Sequence, residues 1–157
     1  MKRLGVIVLA IALAAPPAIA SSDPMFLVVP GRRIGPVTIG MHLNAVEEIL
    51  GHPSRVDSDG RTQWYEWKSP DNRLRSIAVE TLQDTVVLIS LAHDPRYRTR
   101  EGWGDGDTLE AVERVWGRAP SVIHLSGFGI AQYRKKGIAF VTDGTRHVTG
   151  IVIAPAL

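Results

Sequence analysis

The sequence predicts an α+β fold: two tandem helix-plus-antiparallel-meander repeats that form one continuous sheet with both helices on one face. Three observations carry this. A twelve-residue cassette, Gly40-Met41-His42-Leu43-Asn44-Ala45-Val46-Glu47-Glu48-Ile49-Leu50-Gly51, returns as Gly106-Asp107-Thr108-Leu109-Glu110-Ala111-Val112-Glu113-Arg114-Val115-Trp116-Gly117. Strand-like segments follow each cassette in the same order. Turn dipeptides (Asp59-Gly60, Asp71-Asn72 and Asp143-Gly144) fall where a meander must reverse. Three matches in one order mark an internal duplication.

The elements follow in chain order. Met1-Lys2-Arg3, the apolar run Leu4 to Ala15 and the small residues Ala18-Ile19-Ala20 read as a cleaved signal peptide, residues 1–20, with cleavage between Ala20 and Ser21. The apolar run is shorter than the ~20 residues a membrane span needs. The expected location is therefore periplasmic or secreted, with no membrane-spanning segment. Lys2 and Arg3 account for the formal charge of +2, so the chain beyond them is formally neutral. The basic pI thus offers no argument for nucleic acid. The absence of cysteine removes an acylated cysteine anchor, disulfides, thiolate metal sites and thiol nucleophiles.

Residues 21–94 form the first repeat. Phe26 to Val29 and Val37 to Ile39 are candidate short strands. Leu43, Val46, Ile49 and Leu50 then recur at helical spacing, and Gly51 stands where a helix stops. Gln63 to Trp67, Ser76 to Thr81 and Val86 to Ala92 are the expected strands. Residues 95–106, rich in charge and glycine, read as a surface connector. Residues 107–157 form the second repeat: Asp107 with Glu110 reads as a capping box, and Ala131 to Arg134, Gly137 to Thr142 and Val148 to Ala154 answer the earlier strands.

Strand alternation assigns Tyr65, Ile77, Val79, Ile89, Leu91, Tyr133, Ile138, Phe140, Ile151 and Ile153 to the side under the helices. Trp64, Glu66, Lys68, Ser76, Ala78, Glu80, Ser90, Gln132, Arg134, Ala139 and Val152 fall on the open side.

The Gly40-Met41 helix ending Ile49-Leu50-Gly51-His52-Pro53, followed by Trp64-Tyr65, resembles the small lipoprotein of the outer-membrane barrel-assembly machine. The duplicated unit resembles the β-lactamase-inhibitory protein superfamily. The resemblance implies a non-catalytic domain that binds protein, or in some members lipid, through its sheet or loops. Neither the acylated cysteine of the first nor the disulfides of the second has a counterpart here, so no functional residue carries over.

Chemistry-bearing residues point nowhere strongly. His42, His52, His93, His124 and His147 include no pair at metal-ligand spacing, so no metal and no cofactor is expected. Neither G-x-S-x-G nor S-x-x-K occurs. Asp57-Ser58-Asp59-Gly60 lacks one acid of a calcium loop and reads as a turn. The expected function is thus a non-catalytic exported protein-interaction module of the bacterial cell envelope. Its unidentified protein partner is bound on the open sheet face by Trp64, Glu66, Gln132 and Arg134. Two alternatives stand beside it. One is a small periplasmic hydrolase using His93 and Asp94. The other binds anionic lipid or glycan through Arg96, Arg98 and Arg100, which would align on one side of an extended connector.

Overall fold

The computed structural model describes residues 23–157, so the signal-peptide reading lies outside the described residues. In chain order the elements are β1 (Leu27–Val29), β2 (Arg33–Ile34), β3 (Val37–Thr38), α1 (Leu43–Leu50), β4 (Arg55–Ser58), β5 (Gln63–Lys68), β6 (Ser76–Leu82) and β7 (Thr85–Ala92). Then come β8 (Arg98–Thr99), α2 (Leu109–Trp116), β9 (Ser121–Leu125), β10 (Phe128–Tyr133), β11 (Ile138–Asp143) and β12 (Val148–Ile153). The main sheet has eight antiparallel strands in the order β4-β5-β6-β7-β12-β11-β10-β9. That order reads the same from either end in terms of the repeats: each meander places its last strand at the centre, and β7 joins β12.

The duplication extends to single hydrogen bonds. Gly51 and Gly117, at positive φ, end α1 and α2 and donate to Glu47 and Glu113. The carbonyl of each of these glycines is then captured by an aromatic side chain of the sheet. Trp67 Nε1 donates to Gly51 O at 2.8 Å, and the Tyr133 hydroxyl donates to Gly117 O at 2.9 Å. Trp67 and Tyr133 thus satisfy the same carbonyl, left over at a helix end, in the two copies.

One core lies between the sheet and the helices. It contains Leu43 and Val46 from α1, Leu109 and Val112 from α2, and the alternating strand residues Tyr65, Val79, Ile89, Leu91, Tyr133, Ile138, Phe140, Ile151 and Ile153. Every residue assigned by alternation to the helix side is buried except Ile77, which is half-buried against the core. Phe140 is fully enclosed and packs on Tyr133 and Trp116, with ring centroids 6.2 and 5.7 Å away.

Three features differ from expectation. First, the N-terminal strands do not extend the main sheet. They form a separate sheet, β3-β2-β1-β8, in which the connector strand β8 runs parallel to β1. Val28, Ile34 and Val37 bring this small sheet into the core, and β2 and β3 lie against β7. The connector is therefore folded in: Thr99 is fully buried and Trp103 nearly so. Second, β4 and β9 add a strand at each edge of the main sheet. Third, α2 is capped by Thr108, whose hydroxyl accepts from Ala111 N, and not by Asp107. Asp107 is held instead by Gly104 N at 2.8 Å and Arg98 at 2.7 Å.

Candidate functional site

The open face of the main sheet is the side turned away from the helices and the core. Strand register arranges it in rows. One row runs Glu66, Ala78, Ser90, Val152, Ala139, Gln132, Ser121 across β5, β6, β7, β12, β11, β10 and β9. The middle of this row is small and half-buried, as when no helix covers a sheet.

All four residues singled out in the sequence lie on this face, but not together. Trp64 and Glu66 sit on β5 and Gln132 on β10, with Arg134 just past its end. Four strands separate them, about 19–24 Å at ~4.8 Å per strand. Trp64 borders a depression of about 300 Å³ with Asp57, Asp59, Thr62 and Glu80. Gln132 and Arg134 border a second, more apolar groove of about 220 Å³, with Leu88, Ala139, Val152 and Leu157. Gln132 Oε1 accepts from Arg134 Nε and a terminal nitrogen at 3.1 and 2.9 Å, which orients the guanidinium on the surface. Glu66 lies 3.7 Å from Lys68.

The two ends carry opposite charge. Asp57, Asp59, Glu66 and Glu80 gather near β4 to β6, with Arg55 and Lys68 between them. Backbone amides of Thr62 and Arg61 hold the Asp59 carboxyl below its usual range. Arg134 carries the other end, while Lys136 close by stands over the Trp116 ring of α2 at 5.0 Å, on the helix side.

A third zone was not anticipated. Ile123, Leu125 and Phe128 on β9 and β10 are 40%, 48% and 42% exposed. Phe128 faces Leu125 across the hairpin, and Ile130 faces Ile123. The two edges of the sheet differ accordingly. β4 carries an Arg55–Asp57 ion pair at 2.7 Å, whereas β9, Ser-Val-Ile-His-Leu, carries no acid, lysine or arginine. Charge on an edge strand discourages further pairing, and β9 has none of that protection. Its signal in the sequence was the run Val122 to Leu125, left outside the expected strands.

Three residues of the two alternatives, Asp94, Arg96 and Arg98, are engaged within the chain. Asp94, 2% exposed, receives Arg96 Nε and a terminal nitrogen at 2.9 and 2.7 Å, and Arg75 Nε lies 3.7 Å away. That pairing strengthens the hold of Arg96 on its proton. Arg96 also stands over the Phe26 ring at 4.9 Å. Arg98 bonds Gly102 O and Asp107, both at 2.7 Å. Among the described residues, Arg100 alone of the three arginines has no such bond. His93 is exposed at a positive φ of 52°, and its backbone N–H donates to Thr149 O. Burial pushes the nearby Asp105 carboxyl up, with His93 opposing in part. Among the described residues no group of three His, Cys, Asp or Glu side chains could hold a metal ion, and no helix is long and apolar enough to cross a membrane.

Solved structures share the fold at low identity. A DUF4309 family protein, YjgB, from Bacillus subtilis is 17% identical, with a TM-score of 0.58 over 80% of this chain and 88% of that one. An extracellular protein containing an SCP domain from Bacillus anthracis is 9% identical, with a TM-score of 0.53 over 96% of this chain and 50% of that one. A candidate β-lactamase inhibitor protein from Streptococcus mutans, 9% identical over 83% of this chain and 87% of that one, has a TM-score of only 0.32. No family model and no curated protein matches the chain.

Proposed function

We propose that the chain is a non-catalytic, exported interaction module that binds a protein partner through the open face of its main sheet. The observation that carries this reading is the composition of that face. It has an acidic end bearing Trp64, a small-residue centre, a basic end at Arg134 and an exposed apolar strip at Ile123, Leu125 and Phe128. Aromatic and arginine anchors around an apolar patch are what protein interfaces favour. Trp64 with Glu66, and Gln132 with Arg134, serve as two separate anchor points for one partner at least about 20 Å long. An extracellular SCP-domain protein among the fold neighbours, and the signal-peptide pattern of residues 1–20, support an exported location.

Affinity capture from the host's solubilised envelope and medium tests the reading. The bait is residues 21–157, run beside a Trp64→Ala/Arg134→Asp variant shown to fold equally well. A protein retained by the native bait and lost with the variant is the expected result. Equal retention by both baits would overturn this assignment of the surface.

A further inference from the structure

A second cavity lies on the opposite side of the sheet, and internal symmetry explains why it is there. It is a cleft of about 460 Å³ between α2 and the β9–β10 hairpin, within the range of small-ligand sites (about 300–1,000 Å³). Leu109, Val122, Leu125, Phe128 and Gly129 line it, together with Arg118 and His124.

The same place in the first repeat is built differently. Gln63 faces Ser58 and Thr81 there, as Gly129 faces His124 and Thr142 in the second repeat. Tyr65 faces Val79, and in the second repeat Ala131 faces Phe140. The aromatic bulk has thus crossed from the outer strand to the inner one. In the first repeat the Tyr65 hydroxyl donates to Gln63 Oε1, so two side chains hold this space. In the second, Gly129 leaves it open.

The charges around the cleft select its ligand. Its two carboxylates are already engaged: Glu113 accepts from Ala119 N and Arg146, and Asp143 from the amides of Thr145 and His147. Those amides also hold the Asp143 carboxyl below its usual range. Arg146 is shared between Glu110 at 2.7 Å and Glu113 at 3.0 Å. The Arg118 and His124 side chains, both exposed, have no hydrogen bond or ion pair among the described residues. A lined apolar floor beneath an uncommitted guanidinium and an imidazole suits a molecule with a hydrocarbon tail and one anionic group.

We propose that this cleft binds a small anionic amphiphile of the medium-chain carboxylate class, with the tail over Leu109, Val122 and Gly129 and the carboxylate at Arg118. Leu125 and Phe128, at the tip of the hairpin, border both this cleft and the open face.

The test titrates residues 21–157 with octanoate, 1-octanol and acetate while following backbone amide shifts by NMR. Octanoate is expected to saturate, with the largest shifts at Val122, Gly129 and Arg118. Octanol, without the charge, is expected to bind at least about fivefold more weakly, and acetate, without the tail, not to saturate. Gly129→Gln restores the side chain of the first repeat and is expected to abolish octanoate binding. Its Cβ would stand 3.0 Å from Thr142 Oγ1, so Arg118→Glu, at an exposed position, provides a second variant if the first folds poorly. Arg118→Glu is expected to weaken octanoate at least about fivefold and leave octanol unchanged. Failure of octanoate to saturate, shifts confined to the open face, or unaltered octanoate affinity in Arg118→Glu would each overturn the proposal.

Discussion

Replacing Phe140 by alanine is expected to lower the unfolding free energy by about 3–5 kcal/mol. Phe140 is fully buried on β11, the third strand in from the β9 edge, and is the residue on which Tyr133 and Trp116 converge. Trp116 is the last residue of α2, so the ring of Phe140 is part of what fastens that helix to the sheet. Its removal leaves a cavity that the sheet cannot readily close, because β10 and β12 hold β11 on both sides, with Phe140 paired to Ala131 and Ile151. Urea denaturation of residues 21–157 measures the effect as a lower midpoint at unchanged slope. A loss below about 1 kcal/mol would mean that the second helix is held by other contacts.

Gly137→Ala is the second large effect, expected at about 2–4 kcal/mol. Gly137 has φ of +71°, and a Cβ there would lie 2.4 Å from Gly31 Cα and 2.5 Å from Ala154 O. Both obstacles are backbone and cannot swing away. Gly137 O also accepts from Gly31 N at 3.0 Å, tying the turn after β1 to the start of β11. Gly106→Ala is the control: φ is +89° but nothing lies within 4 Å, so only the conformational cost of about 1–2 kcal/mol applies. Chemical denaturation of both variants separates the terms. Equal losses would show that the close approach at Gly137 carries no weight.

Both expectations depend on packing, and packing explains what could be read from the sequence. Leu43 with Val46, and Leu109 with Val112, are buried stripes closed by Gly51 and Gly117, whereas Ile49, expected in the same stripe from its spacing, is 44% exposed because the eight-residue helix turns it away from the sheet. Alternation fixed the face of each long strand, since a residue such as Val79 or Ile151 has only one side on which to be buried. The missed elements lack that constraint. Every residue of β4 is exposed, and β9 is exposed over its last three, so neither shows alternation; each is a strand because β5 or β10 pairs with it. β8 is two residues whose only partner strand, β1, lies some 70 positions earlier, and pairing at such range leaves no local trace.

The candidate site shows the same division. Alternation placed Trp64, Glu66, Gln132 and Arg134 on one face, but local pattern says nothing about which strands join the two meanders. The β7–β12 pairing decides that, and it sets the two halves of the site at opposite ends. Arg96 and Arg98 illustrate the converse. Their spacing suggests a cationic stripe, while Asp94, two residues before Arg96, and Asp107, nine residues after Arg98, take up both guanidiniums.

Hydroxyl-radical footprinting of residues 21–157, alone and in the host's envelope extract, tests the central claim most directly. Ile123, Leu125 and Phe128 report the open face; Ile49 and Val115, 44% and 62% exposed on the helices, report the other side. Binding through the open face predicts that the first three, with Trp64, lose reactivity in the extract while Ile49 and Val115 keep theirs. Protection of Ile49 and Val115 with an unchanged open face would contradict the account.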